Sequence, residues 1–371
     1  MKLDGFKLEV YFSEYEFSAP YLLCCSDCEA MSVESLLAFE PGSKEAFMNT
    51  WLGYTESYGD PEVLKGISKL YKNIGPDDVL EHVGAQEAIF NFQNAVLERG
   101  DHVICMFPNY ESNYSVAAKI GCELSYWNLH QTEKGWEISI EELSKLIRPN
   151  TKVIMLNTPN NPTGYYFSEE EMKAIAELAR KHNIIIFSDE VYKGLHFAGG
   201  EPPAFADIYE NAVSLNVLSK AFGLAGLRIG WIATKNKEIR EAMALHKHYT
   251  TICSPKPSQF LAAIALKHHE KILERNRNIV VKNLELSDEF FKKHKDKFLY
   301  NRPMGGSIGF HKLKINTNIR EFSKKLVDEK GVLLLPNYIF DYEDNYFRLG
   351  YGRANFSESL EVFAKYIEEN M

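Results

Sequence analysis

The feature that most constrains this chain is a series of short apolar runs set between helical patterns from about residue 83 to residue 234. Residues 102–106, 152–156, 183–187 and 213–218 read as strands, and Ile184-Ile185-Ile186-Phe187 is apolar on both faces. A strand without a polar face must be covered on both sides, as it is in a parallel sheet. Between these runs the helical period takes over. One such stretch opens at Gly84 and continues to Leu97, and another starts at Ser168, with Glu171 at capping-box spacing, and runs to about His182. The alternation predicts an α/β fold, a mostly parallel sheet with helices on both faces.

What stands at the ends of the runs is chemically suggestive. The run 213–218 delivers a single lysine, Lys220, and Gly223, Gly226 and Gly230 follow it. Apolar surroundings favour loss of an ammonium proton, and a neutral amine attacks aldehydes. Asp189 follows the run 183–187, where α/β sheets place ligand groups. Gly84-Ala85-Gln86 before a helix leaves backbone N–H groups and the positive end of the dipole free for a phosphate. Each feature alone has a plainer reading: a surface lysine before a turn, a helix cap, or an Asn/Pro/Gly turn. The glycines after Lys220 do not have dinucleotide-fingerprint spacing.

Four motifs in order carry a more specific signal. Ser219-Lys220-Ala221-Phe222-Gly223-Leu224-Ala225-Gly226-Leu227-Arg228-Ile229-Gly230-Trp231 resembles the cofactor-lysine signature of the class I/II aminotransferases, the fold-type-I pyridoxal-phosphate (PLP) enzymes. The resemblance extends through Asn157-Thr158-Pro159-Asn160-Asn161-Pro162-Thr163-Gly164, Ser188-Asp189-Glu190-Val191-Tyr192 and Tyr346-Phe347-Arg348-Leu349-Gly350. It covers most of the chain from about Tyr54 to Arg348.

The resemblance implies the PLP-dependent transferase fold type I, with a large domain on a mostly parallel sheet and a smaller α+β domain. The expected division is an arm and part of the small domain at 1–45, the PLP-binding domain at 46–266 and the C-terminal small domain at 267–371. It further implies a Lys220 Schiff base with PLP, with Lys220 also moving the α-proton. Asp189 would keep the pyridine nitrogen protonated, Asn161 and Tyr192 would hold the phenolic oxygen, and Tyr110 would cover the ring. Gly84, Ala85, Gln86, Ser219 and Arg228 would bind the phosphate, joined by Tyr54 from the second subunit of a homodimer. Arg348, with Asn161, would take the substrate α-carboxylate in a bidentate pair that lysine cannot reproduce. One position departs from the family pattern: Val217 stands where serine or threonine is usual, which removes one phosphate contact.

The reaction so implied is amino transfer between an α-amino acid and a 2-oxo acid. The alternative is another PLP reaction on an amino acid, a lyase or a cyclase, and the arm and Val217 resemble the capreomycidine-synthase-like branch. A non-catalytic regulator on the same fold would not need Lys220, Asp189 and Arg348 together, and no DNA-binding segment is expected before Tyr54.

Elsewhere the first forty residues read as an irregular, aromatic-rich arm with a short helix near 32–39. A long charged helix is expected over 268–297, then strands and helices that include 319–329 and 357–370. Asn318 and Glu321 have capping-box spacing, and Gly331 marks a stop. A net charge of −9 argues against a nucleic-acid surface. No leader and no run of membrane-span length is seen, so a cytoplasmic protein is expected. Cys25 and Cys28 have zinc-like spacing without a matching second pair, so the six cysteines read as thiols and no metal is expected.

Overall fold

A computed structural model describes residues 2–197, 200–315 and 317–371. Its main sheet has seven strands: β1 (Val79–His82), β2 (His102–Phe107), β3 (Glu123–Asn128), β4 (Thr151–Asn157), β5 (Ile185–Asp189), β6 (Ala212–Val217) and β7 (Gly230–Thr234). Their spatial order is β1-β7-β6-β5-β4-β2-β3. All neighbours are parallel except β7, which runs antiparallel to both β1 and β6.

The alternation of side chains along these strands explains the two covered faces. Ile104, Met106, Ile154, Leu156 and Ile186 pack on one side with Ile175 and Ala179 of the helix Glu169–His182. Val103, Cys105, Val153, Met155 and Phe187 pack on the other with Ile89 and Phe92 of the helix Ala85–Val96. The Phe92 and Phe187 rings lie 4.3 Å apart. This is the α/β architecture that the apolar runs require.

The helix Glu169–His182 starts as its sequence suggests. Ser168 Oγ accepts from the Glu171 amide at 3.2 Å, and Glu171 Oε2 accepts from the Ser168 amide at 2.8 Å. Ser168→Ala is expected to cost about 1 kcal/mol of stability, read by denaturant unfolding. At Asn318 only half of the motif forms. Its side chain closes on the Arg320 amide at 2.8 Å, the second helical amide rather than the third, and no reciprocal capping box with Glu321 is made.

A four-stranded antiparallel sheet follows the long helix His269–Lys293. It consists of β8 (Phe298–Leu299), β9 (Ile308–Leu313), β10 (Leu335–Pro336) and β11 (Tyr346–Gly350), in the order β8-β9-β11-β10. Tyr21–Leu22 pairs in parallel with Val332–Leu333, tying the N-terminal segment to this part of the chain.

The first forty residues correct the expectation of an irregular arm. Besides Val33–Leu37, which lies near the expected short helix, they contain the helix Lys7–Tyr15. Leu8, Tyr11, Phe12 and Tyr15 recur at i, i+3, i+4 and i+7, and they form or pack against the core cluster on one face of the main sheet.

Candidate active site

Sheet direction gathers the site. Because β4, β5 and β6 are parallel, Asn157, Asp189 and Leu215 stand side by side in register at their C-terminal ends. Lys220 follows three residues after β6 ends at Val217. Since β7 is antiparallel to both neighbours, β1 points the same way as β6, and its exit to Gly84 reaches the same edge. Gly230, which opens β7, pairs there with both His82 and Val217, so Arg228 arrives two residues earlier.

These ends surround a cavity of about 440 Å³. It is lined by Ala85, Gln86, Tyr110, Asn161, Asp189, Tyr192, Ser219, Lys220 and Arg228, together with Val217. Lys220 Nζ lies 2.9 Å from Ser26 Oγ. Tyr110 donates its hydroxyl to Gln86 Oε1 at 3.2 Å, and Gln86 Nε2 donates to Ser112 Oγ at 2.7 Å. Tyr192 is buried, and the Asn161 amide is anchored on Asn157 Oδ1 at 2.5 Å.

Several features suit an anion at one end. Gly84 precedes the helix Ala85–Val96 with a positive φ of 85° and offers no side-chain cap, so the first amides remain free. A Cβ on Gly84 would lie 2.4 Å from Arg228 Nη2, and one on Gly230 would lie 2.8 Å from the Gly84 carbonyl carbon. Only glycine allows that approach. Arg228 forms no ion pair among the described residues, and its one side-chain hydrogen bond is to the Ala225 carbonyl at 3.3 Å. Ser219 Oγ is buried without a partner. Such an orphaned hydroxyl is costly unless a ligand completes it. It stands two residues beyond Val217, whose apolar side chain occupies the departing family position.

The other end suits a cation. Asp189 accepts from the Val191 amide at 3.3 Å and from Asn113 Nδ2 at 3.4 Å. Burial pushes its carboxyl up from 3.8 to about 6, against the pull of those bonds and of Lys220. The folded protein without cofactor thus keeps this proton after the unfolded chain has released it. The stability carried by the protonated form is fully present below 3.8 and is lost as pH rises through about 6. With PLP removed, Asp189→Asn is therefore expected to be more stable than the wild type at pH 8, by up to about 3 kcal/mol in denaturant unfolding. Equal stability at that pH would contradict an uncompensated carboxylate. A phosphate at one end and a protonated pyridine nitrogen at the other match this donor set.

Three expected residues stand outside the cavity wall: Gly84, which lies just behind Ala85, Arg348 and Tyr54. Arg348 on β11 is fully buried behind Asn161, donating from Nη1 to Asn161 Oδ1 at 2.9 Å. Its Nε and Nη2 donate to the Cys24 carbonyl at 3.2 and 2.7 Å. Tyr54 is 83% exposed and does not line the cavity of its own chain.

The sequence reading missed one wall altogether. Phe6, Leu8, Glu9, Phe12 and Glu16 line the cavity from the N-terminal helix and its flanks, and Cys25, Ser26 and Asp27 line it from the segment that follows. The helical period of Leu8, Tyr11, Phe12 and Tyr15 is the signal that reveals the helix. Nothing local reveals Ser26, whose partner is 194 residues away.

Comparison with known proteins agrees with this geometry. The model of the family "aminotransferase class I and II" matches residues 28–367. A curated protein named aspartate aminotransferase, from Thermotoga maritima, is 30% identical over 320 residues, 83% of this chain and 80% of its own length. A crystal structure of a PLP-dependent aminotransferase from Streptococcus suis superposes with a TM-score of 0.93 at 32% identity, covering 100% of this chain and 99% of its own. The PLP-dependent cyclase OrfR superposes at 0.92 over 100% of this chain and 99% of its own, and at 23% identity it attests the fold alone. The chain thus belongs to the class I and II aminotransferases, with pyridoxal phosphate as its cofactor.

Proposed function

We propose that this protein transfers an amino group from an α-amino acid to a 2-oxo acid on PLP held at Lys220, and that it works as a homodimer. The observation that carries the assignment of residues is the joint placement of the Lys220 amine, the buried Asp189 carboxylate, the unpartnered Ser219 hydroxyl and the Arg228 guanidinium, which has no ion pair among the described residues, around one cavity. Bound PLP supplies an electron sink for the bond broken at the α-carbon. Asp189 supplies the fixed negative charge opposite the ring nitrogen, and burial makes that charge count for more than it would in water. Asn161 and Tyr192 would orient the phenolic oxygen, and Tyr110 would cover the ring. Gly84, Ala85, Gln86, Ser219 and Arg228 would hold the phosphate.

Lys220 would take the proton from the α-carbon and deliver it to the cofactor in the same half-reaction, and move a proton the opposite way in the return half-reaction. Its flexible stem and its contact with Ser26 Oγ suit a group that must swing between positions. Arg348 binds the substrate α-carboxylate. Three of its five N–H donors serve Cys24 and Asn161, which fix the guanidinium plane and leave two for the substrate.

The dimer is supported by an exposed apolar group. Met48, Trp51, Leu52 and Tyr54 are 75–83% exposed, a run that water does not favour. Burying it against a second copy would bring Tyr54 to the neighbour's phosphate. The division into 1–45, 46–266 and 267–371 belongs to the same reading, as does a cytoplasmic location, which suits six unbridged cysteines. Among the described residues no helix is long and apolar enough to cross a membrane.

The test is isotopic. With a ¹⁵N-labelled amino acid and an unlabelled 2-oxo acid, the label is expected in the newly formed amino acid. Label released as ammonia or retained in a ring would instead establish a lyase or a cyclase.

A further inference from the structure

Resting on that assignment of the cavity, we infer that its amino-acid substrate carries a cationic side chain, selected by Glu9 and Glu16. Glu9 on the helix Lys7–Tyr15 and Glu16 at its C-cap are seven residues apart, about two turns, and both line the cavity with Phe12 between them. Neither forms an ion pair among the described residues. The other charged groups at the cavity are already committed. Lys220 and Asp189 serve the cofactor, and Arg228 serves the phosphate. Asp27 is held by Arg353, whose Nη2 donates to its two carboxylate oxygens at 3.1 and 2.9 Å.

Glu9 and Glu16 are the charges left over. The Glu16 carboxyl is pushed up by burial first, then by Asp27 and Glu9, while Arg353 and Lys220 pull it down. The half-buried Glu16 carboxylate loses water without compensation, and the more exposed Glu9 adds like charge to it. An ammonium or guanidinium between them relieves the repulsion and the desolvation of Glu16 through charge-assisted hydrogen bonds. Phe12 offers an apolar surface for the methylenes that lead to such a group. The buried, unpartnered Ser219 Oγ at the phosphate end of the same cavity marks it as a space built for a ligand.

The wall fits a dicarboxylic substrate poorly. A second carboxylate would need a cation, and the cationic side chains among the described lining residues are Lys220 and Arg228, both already assigned. The expected substrates are therefore of the ornithine, lysine and arginine class.

The experiment compares kcat/KM of the purified holoprotein for ornithine, lysine and arginine with that for norleucine, an uncharged analogue of similar length, and for aspartate. The best cationic substrate is expected to exceed norleucine by about tenfold or more, as a charged hydrogen bond allows, with aspartate lowest. In the Glu9→Gln/Glu16→Gln double variant that ratio is expected to collapse towards unity. The wild-type ratio alone decides if the double variant takes up no PLP. Norleucine or aspartate turned over as well as the cations, or a ratio unchanged in the variant, would overturn the inference and leave amino transfer standing. Failure of every amino acid to react would overturn amino transfer and this inference with it.

Discussion

Replacing Lys220 with alanine is expected to lower amino transfer by about 10²–10⁴-fold from lost proton transfer alone, and to abolish covalent attachment of PLP as well. The structure separates this effect from unfolding. The lysine side chain makes one hydrogen bond, to Ser26 Oγ at 2.9 Å, and lines the cavity rather than filling the core. Thermal unfolding of the variant without cofactor should therefore stay close to that of the wild type. Borohydride reduction followed by mass measurement reads the covalent link directly. The wild type should gain the mass of reduced PLP and the variant should not. Activity retained without the amine would show that another group performs both tasks.

Arg348→Lys should have the next largest effect. The arginine is wholly buried, its guanidinium lies 5.7 Å from the Phe340 ring centre, and its donors reach both the Cys24 carbonyl and Asn161. A single ammonium cannot hold these partners and also present a planar fork to a carboxylate. Loss of a charge-assisted bond of about 1.5–3 kcal/mol corresponds to roughly 10–100-fold in kcat/KM. If the arginine binds the carboxylate equally in ground and transition states, the loss falls mainly on KM. A variant with unchanged KM for every amino acid would remove Arg348 from substrate binding.

Four of the seven strands were legible because they are largely apolar runs that lead to polar residues, whereas Val79–His82, Glu123–Asn128 and Gly230–Thr234 were not read from the sequence. Ile184 to Phe187 leading to Asp189 is the clearest case. The helix after Ser168 was legible because its capping box lies within four residues. The N-terminal wall was harder to read. The helix Lys7–Tyr15 is only nine residues long and rich in aromatic and β-branched side chains, which are weak helix formers, so tertiary packing decides it.

Contacts that cross the chain leave no local trace. Ser26 meets Lys220, and Cys24 meets Arg348 across 324 positions, although no spacing in the sequence ties either pair together. Val217 shows a different limit. Its motif position indicates a missing phosphate contact, but only the fold shows the unpartnered hydroxyl of Ser219 in the same cavity. Tyr54 has no partner geometry to read in one chain, because the proposed role lies in a second copy.

The most direct test of the central claim is the visible absorption spectrum of the purified protein, recorded before and after addition of an amino acid. The expected result is a yellow protein whose PLP band gives way to the pyridoxamine form as a 2-oxo acid is released. A colourless protein that takes up no added PLP would contradict it.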